Sequence, residues 1–489
     1  MSPLSSPRPA PRTSRPLVPA QYRSWLPPLA CGLLLLLIPT PAGLTPDAWH
    51  FFALFVAVIV ALITEPMPGA AIGFIGVSIA AAFLLVGETP TEALRWALSG
   101  FVNDTVWLIF AANMFALGYE STGLGRRIAL QLVRALGQRT LGLGYAIALT
   151  DLFLAPVMPS NTARSGGTLY PVVNSIPPLY GSYPDNNPGK IGSYLVWTAF
   201  SATCVTSSMF LTALAPNLLA TGIVRSVAGI NITWTMWMLG FLPLGVLLFA
   251  ATPLLAYFLV RPEVKRGHEV VFWAENELRN MGGITRREVT MVLLAVGALI
   301  GWIGGSRWLN PVTVALIAIS LMLLTKVVVW PQIIARKEAW SMLVWFATLI
   351  ALAEGLSSVG FLAWLSRHAA SAVANASLWA MLAGAIVLFF LVHYLFASIT
   401  AQTTALLPVF LLAVISAPGV PAMPVALLLC YSLGLMGVIS PYASGPAAIW
   451  YGSGYVATKD FWRLGAITGA IYLLMLLVVG IPYVLTFMR

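Results

Sequence analysis

From residue 29 to residue 487 the sequence alternates long apolar runs with short polar ones, and several runs are broken in the middle by Pro, Gly, Ser or Asn. The runs lie at 29–44 and near 50–64, 69–86, 105–118, 141–157, 191–222, 232–260, 290–305, 311–330, 340–355, 376–397, 403–418, 422–438 and 465–487. A helix needs about 20 apolar residues to cross a bilayer, so the pattern predicts an all-α polytopic membrane protein. Charged residues make up only 9% of the chain, against about 25% in soluble domains. The solvent around most of the surface is therefore lipid. Unpaired backbone groups cannot face hydrocarbon, so breaks within a run must be buried in protein or line a watery cavity. Function is to be sought at those breaks.

The net charge of +10 would suit a nucleic-acid partner, but its placement argues against one. Arg8, Arg12, Arg15 and Arg23 lie in the N-terminal tail. Arg126, Arg127, Arg134 and Arg139 follow an apolar run, and Arg261, Lys265, Arg266, Arg279, Arg286 and Arg287 share one polar loop. Clusters at the ends of spans follow the positive-inside rule; no basic stripe is interleaved with aromatics on a soluble module. Residues 1–24, rich in Ser, Pro and Arg and free of acids, are expected to form a disordered cytoplasmic tail, with a transit peptide as the other reading. The 29–44 run resembles a signal-peptide core but has no small-residue cleavage site after it, and is expected to be the first span. The charge pattern places the tail and the 261–288 loop in the cytoplasm and the C-terminus in the periplasm. Cys31, Cys204 and Cys430 stand apart without metal spacing and read as small buried hydrophobes.

The polar 261–288 stretch, an amphipathic connector, divides the chain into halves at 25–260 and 289–489. The halves look alike. In the first, Glu120-Ser121-Thr122-Gly123 precedes a break at Ser160-Asn161-Thr162; in the second, Ser357-Ser358-Val359-Gly360 precedes Ser398-Ile399-Thr400. The two offsets agree to within one residue, which points to an internal duplication. A looser pairing sets Ala215-Pro216-Asn217 against Ser440-Pro441-Tyr442. Paired interrupted helices in two halves are the best sequence pointer to a transporter site.

Pro156 and Pro159 stop an incoming helix, because each removes a backbone donor and clashes with the preceding turn. Ser160, Asn161 and Thr162 are residue types that cap a new helix. A helix starting there aims free N–H groups and the positive end of its dipole into the break, where a carboxylate can bind. Ser398, Ile399 and Thr400 repeat the arrangement. Two such termini facing one another would hold the two ends of a dicarboxylate. The alternative use of these hydroxyls is hydrogen bonding to carbonyls of their own helix. Asp104, Glu120 and Glu354 either face the cavity or serve as hydrogen-bonded structural acids.

The Ser-Asn-Thr motif and its second-half counterpart, with 63–68, 155–167, 393–408, 440–446 and 451–455, resemble the divalent anion:sodium symporter family over nearly the whole chain after the tail. Within it the sequence is most similar to the plastid 2-oxoglutarate/malate translocators and the bacterial citrate– or tartrate–succinate antiporters. The resemblance implies two inverted repeats and a homodimer. Each protomer would have a scaffold domain and an elevator-like transport domain, with re-entrant hairpins near 104–123 and 340–360. It also implies substrate contacts at Ser160, Asn161, Thr162, Pro216, Asn217, Ser398, Thr400, Ser440 and Pro441.

One departure bears on mechanism. Sodium-coupled members use both motifs for sodium, whereas here Ile399 stands in the Asn position and removes an oxygen that a hard cation needs. Arg164 lies just beyond the first motif and His393 just before the second. A buried Arg stays charged and needs a partner; Arg164, and His393 if protonated, are expected to supply the positive charge that sodium would bring, unless Asp151 or a carbonyl pairs Arg164 and His393 is a neutral packing residue. These features predict a sodium-independent exchanger of C4/C5 dicarboxylates in a bacterial inner membrane, with no cofactor; a sodium-coupled symporter is the runner-up. Sulfate suits two opposed clamps less well than a longer dianion. An enzyme would need a nucleophile–base pair or metal cluster, but His50, His268, His368 and His393 stand far apart, and HExxH, GxSxG and P-loop motifs are absent. A channel would line a symmetric pore with repeated filter loops.

Overall fold

The computed structural model describes residues 24–304, 308–373 and 377–488; the expected 1–24 tail lies outside them except for residue 24. Among the described residues the chain is helical, with isolated β-bridges and no strand. Eight helices among the described residues are long and apolar enough to cross a membrane, Pro46–Thr64 and Lys337–Ser358 among them. At 1.5 Å per residue, the 19 residues of Pro46–Thr64 reach roughly 28 Å, the thickness of a hydrocarbon core.

Local chemistry sets many of the ends. Thr45 accepts from the Ala48 N–H at 3.3 Å and Pro46 occupies the first turn, where its missing N–H costs nothing. Thr89 and Glu92 form a reciprocal capping box at the start of Pro90–Ser99. Inside 261–288 the helix Glu269–Met281 buries Val270, Ala274 and Leu278, four residues apart on one face.

Apolar packing gathers into two clusters that meet along Lys337–Ser358. Leu343, Phe346, Ala347 and Ile350 belong to the larger cluster, Leu349, Ala351, Leu352 and Leu356 to a smaller one built with Pro46–Thr64 and Gly69–Ala82. This helix is thus a wall shared by two packing units. Gly100 comes so close that a Cβ there would lie 1.8 Å from the Ala347 carbonyl oxygen; only glycine fits.

Neither 104–123 nor 340–360 forms the expected hairpin. Asp104–Thr122 and Lys337–Ser358 are each one continuous helix, because no proline interrupts either run. The interruptions lie elsewhere, as described below. The three candidate acids all have partners. Glu120 makes two 2.8 Å bonds with Arg336, Asp104 accepts from Asn310 at 2.8 Å, and Glu354 accepts from Ser99 at 3.2 Å. Cys204 and Cys430 are buried free thiols and Cys31 is half-buried.

A buried ion pair anchors the connector. Arg127 Nε donates to Glu288 Oε1 at 2.6 Å and Arg127 Nη1 to the Gly282 carbonyl at 3.0 Å, with both side chains almost fully enclosed. Removing one partner leaves an uncompensated buried charge. Arg127→Ala is therefore expected to destabilise the protein by about 3–5 kcal/mol, measured as a lower unfolding midpoint in detergent.

Candidate functional site

Among the described residues, four of the helix breaks bear on the site, two in each half. Thr140–Leu154 ends in a 3-10 turn at Ala155–Val157, and 158–160 is non-helical before the chain turns helical again at Asn161. Gly192–Met209 stops, and a new helix, Ala215–Ala228, begins after the break at 210–214. In the second half Leu378–Val392 is followed, after 393–398, by Ile399–Ile415, and Ala422–Leu435 is followed, after the break at 439–444, by Gly445–Gly452.

Serine caps three of the four restarts. Ser160 Oγ accepts from the Ala163 N–H at 3.1 Å, Ser398 Oγ from Ala401 at 3.3 Å and Ser444 Oγ from Ala447 at 3.3 Å. Each cap satisfies the N–H of the third residue of its helix. The first two have no acceptor within the helix and point, with the positive end of the dipole, out of the tip. At Ala215–Ala228 and Gly445–Gly452 a proline sits in the first turn, Pro216 and Pro446, and leaves the N–H of Ala215 and Gly445 as donors.

All four tips line one cavity of about 200 Å³. It is bounded by Ser160, Asn161 and Thr162, by Leu214–Pro216, by Ser398, Ile399 and Thr400, and by Ser444 and Gly445. Met342, Trp345 and Phe346 of the shared helix Lys337–Ser358 close it with an apolar wall. The halves touch here: a Cβ on Gly445 would lie 2.0 Å from Thr162 Oγ1 and 3.1 Å from Thr162 Cβ.

Of the residues singled out in the sequence, Ser160, Asn161, Thr162, Pro216, Ser398 and Thr400 therefore come together, whereas five do not line this cavity. Asn217 is buried behind Pro216, where its Nδ2 donates to the Ser207 and Phe210 carbonyls at 2.7 and 3.2 Å and ties the break shut. Ser440 and Pro441 lie in the turn before the restart. Pro446, not Pro441, occupies the first turn of a restarted helix as Pro216 does. Sequence reasoning thus missed Ser444 and Gly445. The signal was there, because Ser444-Gly445-Pro446 is a cap followed by a first-turn proline. The wall of Met342, Trp345 and Phe346 carried no local signal.

Arg164 is fully buried, and of the two uses expected for it the structure shows the pairing with Asp151 and loop carbonyls. Its Nε donates to Asp151 at 2.9 Å, its Nη1 to the Met158 and Ala213 carbonyls at 2.8 and 2.9 Å, and its Nη2 to Ser207 at 3.2 Å and Thr206 at 3.4 Å. Asp151 also accepts from Thr203 at 3.2 Å and from Thr206. The charge is present, paired, and holds one carbonyl from each break of the first half. His393 is equally enclosed. Its Nδ1 lies 2.6 Å from Gln402 Oε1 and its Nε2 2.8 Å from the Ala443 carbonyl oxygen. Gln402 Nε2 donates to the Phe389 carbonyl at 2.6 Å, which fixes the amide so that its oxygen faces the ring.

A bundle of lipid-length helices whose interrupted members open their N-termini on one internal cavity defines the class of secondary transporters. The family model described as the sodium:sulfate symporter transmembrane region matches residues 20–488. The citrate/succinate antiporter of Escherichia coli (strain K12) is 47% identical over 474 residues, covering 94% of this chain and 96% of that one. The L-tartrate/succinate antiporter of Shigella sonnei (strain Ss046) is 45% identical, with 94% and 97% covered. The chain belongs to this family, the divalent anion:sodium symporters, in its antiporter branch. Among solved structures, the Alcanivorax borkumensis YdaH transporter superposes with a TM-score of 0.55 at 14% identity, over 90% of this chain and 99% of that one. Neisseria gonorrhoeae MtrF gives 0.54 at 12%, over 93% and 97%. At those identities the likeness concerns the fold alone.

Proposed function

We propose that the protein exchanges one small dicarboxylate for another across a bacterial inner membrane, without sodium. The observation that carries this reading is the convergence of four helix N-termini, two from each half, on one small cavity. Each pair offers free N–H groups and a positive dipole end to one carboxylate. Ser160, Asn161 and Thr162 take one end of the dianion, and Ser398 and Thr400 the other. The named substrates of the antiporter relatives, citrate, succinate and L-tartrate, are acids of this kind; malate and 2-oxoglutarate fit the same chemistry.

Sodium independence is supported by what occupies the breaks. A hard cation would use loop carbonyls and side-chain oxygens. Here the Arg164 guanidinium already holds the Met158 and Ala213 carbonyls, and the His393 ring holds Ala443. Both ring nitrogens face carbonyl oxygens, which only accept, so a protonated ring satisfies both and a neutral one satisfies one. Ile399, whose side chain packs toward Gly437, contributes no oxygen. An elevator movement belongs to the same reading. The reading further assigns inverted repeats at 25–260 and 289–489 joined by the 261–288 connector, a homodimer, a cytoplasmic N-terminus and a periplasmic C-terminus.

The test is counterflow in proteoliposomes, with sodium replaced by choline. Labelled succinate is expected to accumulate against internal unlabelled succinate at an undiminished rate. A strict sodium requirement would replace this reading with a sodium-coupled symporter that uses the same cavity.

A further inference from the structure

A second cavity, of about 520 Å³, opens where the connector meets the bundle, between the helices Leu124–Leu136 and Glu269–Met281. Arg127, Arg134, Arg279 and Gln131 line it, with a single acid, Glu275. Arg127 is committed to Glu288 and the Gly282 carbonyl. Arg134, Arg279 and Glu275 take part in none of the ion pairs among the described residues, and Arg279 reaches the Asn276 Oδ1 at 2.7 Å. Two guanidinium groups against one carboxylate leave the cavity with excess positive charge.

The rim of the same cavity is apolar. Gly282, Gly283 and Ile284 form it, and Ile284 is 68% exposed. From there Arg286–Gly304 carries Val289, Val292, Leu293, Val296 and Ile300, all exposed and together on one helical face. A basic recess therefore opens directly onto an uncovered apolar track at the end of a membrane span. That combination fits an amphiphile better than a soluble anion.

We propose that this recess binds the phosphate headgroup of an anionic glycerophospholipid, whose acyl chains lie along the Ile284–Ile300 face. Arg134 and Arg279 hold the phosphate oxygens, since guanidinium groups match phosphate with paired N–H donors. Glu275 opposes binding, so a headgroup with net negative charge is selected over a zwitterionic one only because the arginines outnumber it. Basic pockets between helices at the membrane surface hold anionic headgroups by this chemistry.

The experiment uses purified full-length protein in detergent, titrated with cardiolipin, phosphatidylglycerol, phosphatidylcholine or inorganic phosphate, and read by native mass spectrometry. Both anionic lipids are expected to bind, and phosphatidylcholine and phosphate to remain unbound at the same concentrations. The double variant R134Q/R279Q is expected to weaken anionic-lipid binding about thirtyfold. E275Q, which keeps both arginines, is expected to strengthen it about fivefold, and decides the matter should the double variant fail to fold. Equal binding of phosphatidylcholine, saturation by inorganic phosphate alone, or lipid binding unchanged in E275Q would each overturn the proposal. So would an apolar face protected by a second copy of the chain with no lipid retained.

Discussion

Gly445→Val is expected to reduce substrate exchange by at least about a hundredfold, the scale on which small displacements of a positioned group act. A Cβ at residue 445 would lie 2.0 Å from Thr162 Oγ1 and 3.1 Å from Thr162 Cβ and Cγ2. Turning the threonine moves its hydroxyl but not its Cβ, so one helix tip must retreat. Both tips line the cavity, one from each half, so any retreat would spoil the proposed grip on both ends of a dianion. The loss should appear in exchange rate and in substrate-dependent thermal stabilisation, with the apo protein still folded. Gly452→Ala is the control. It lies in the same short helix, but its Cβ would meet nothing within 4 Å, and exchange is expected to be unchanged. Full activity in the valine variant would remove the cavity from the transport path.

The second large effect is expected at Arg164. Arg164→Leu leaves Asp151 buried without its cation, which costs about 3–5 kcal/mol. It also orphans the Met158 and Ala213 carbonyls that the guanidinium holds at 2.8 and 2.9 Å. The double variant Asp151→Asn with Arg164→Gln removes both charges while keeping donors and acceptors, and is expected to recover more than half of the lost stability. Chemical denaturation in detergent followed by circular dichroism separates the cases. A single variant as stable as the parent would mean that the pair is not enclosed as described. Exchange by the refolded double variant bears on the sodium question too. With the fixed positive charge gone from beside the breaks, sodium is then expected to stimulate exchange more in the double variant than in the parent.

Much of the architecture was legible because the bilayer leaves few choices. Repeated apolar runs with hardly any charge can only become buried or lipid-facing helices, and Pro156, Pro159 and the Ser160 and Ser398 caps mark breaks that each helix must make locally. The expected hairpins at 104–123 and 340–360 failed for the opposite reason. Small and polar residues such as Ser121, Thr122, Ser357 and Ser358 at the end of an apolar run are compatible with an uninterrupted helix. Without a proline the backbone gains more by continuing its hydrogen bonds. Pro441 lies in the turn before the fourth restart, whereas Pro446 occupies its first turn behind the Ser444 cap.

Composition and local capping thus determined by themselves that this chain spans a membrane and where two of these four breaks, at Ser160 and Ser398, restart. Only the packed structure decided that all four restarts meet, that Gly445 lies against Thr162, that Met342, Trp345 and Phe346 close the cavity, and that Arg164 is paired with Asp151 while His393 is enclosed by Gln402 and Ala443. The physical reason is range. A cap or a proline acts within one helical turn and can be seen in a few consecutive residues. The meeting of tips far apart in sequence depends on how whole helices pack, and no short stretch of the chain encodes that.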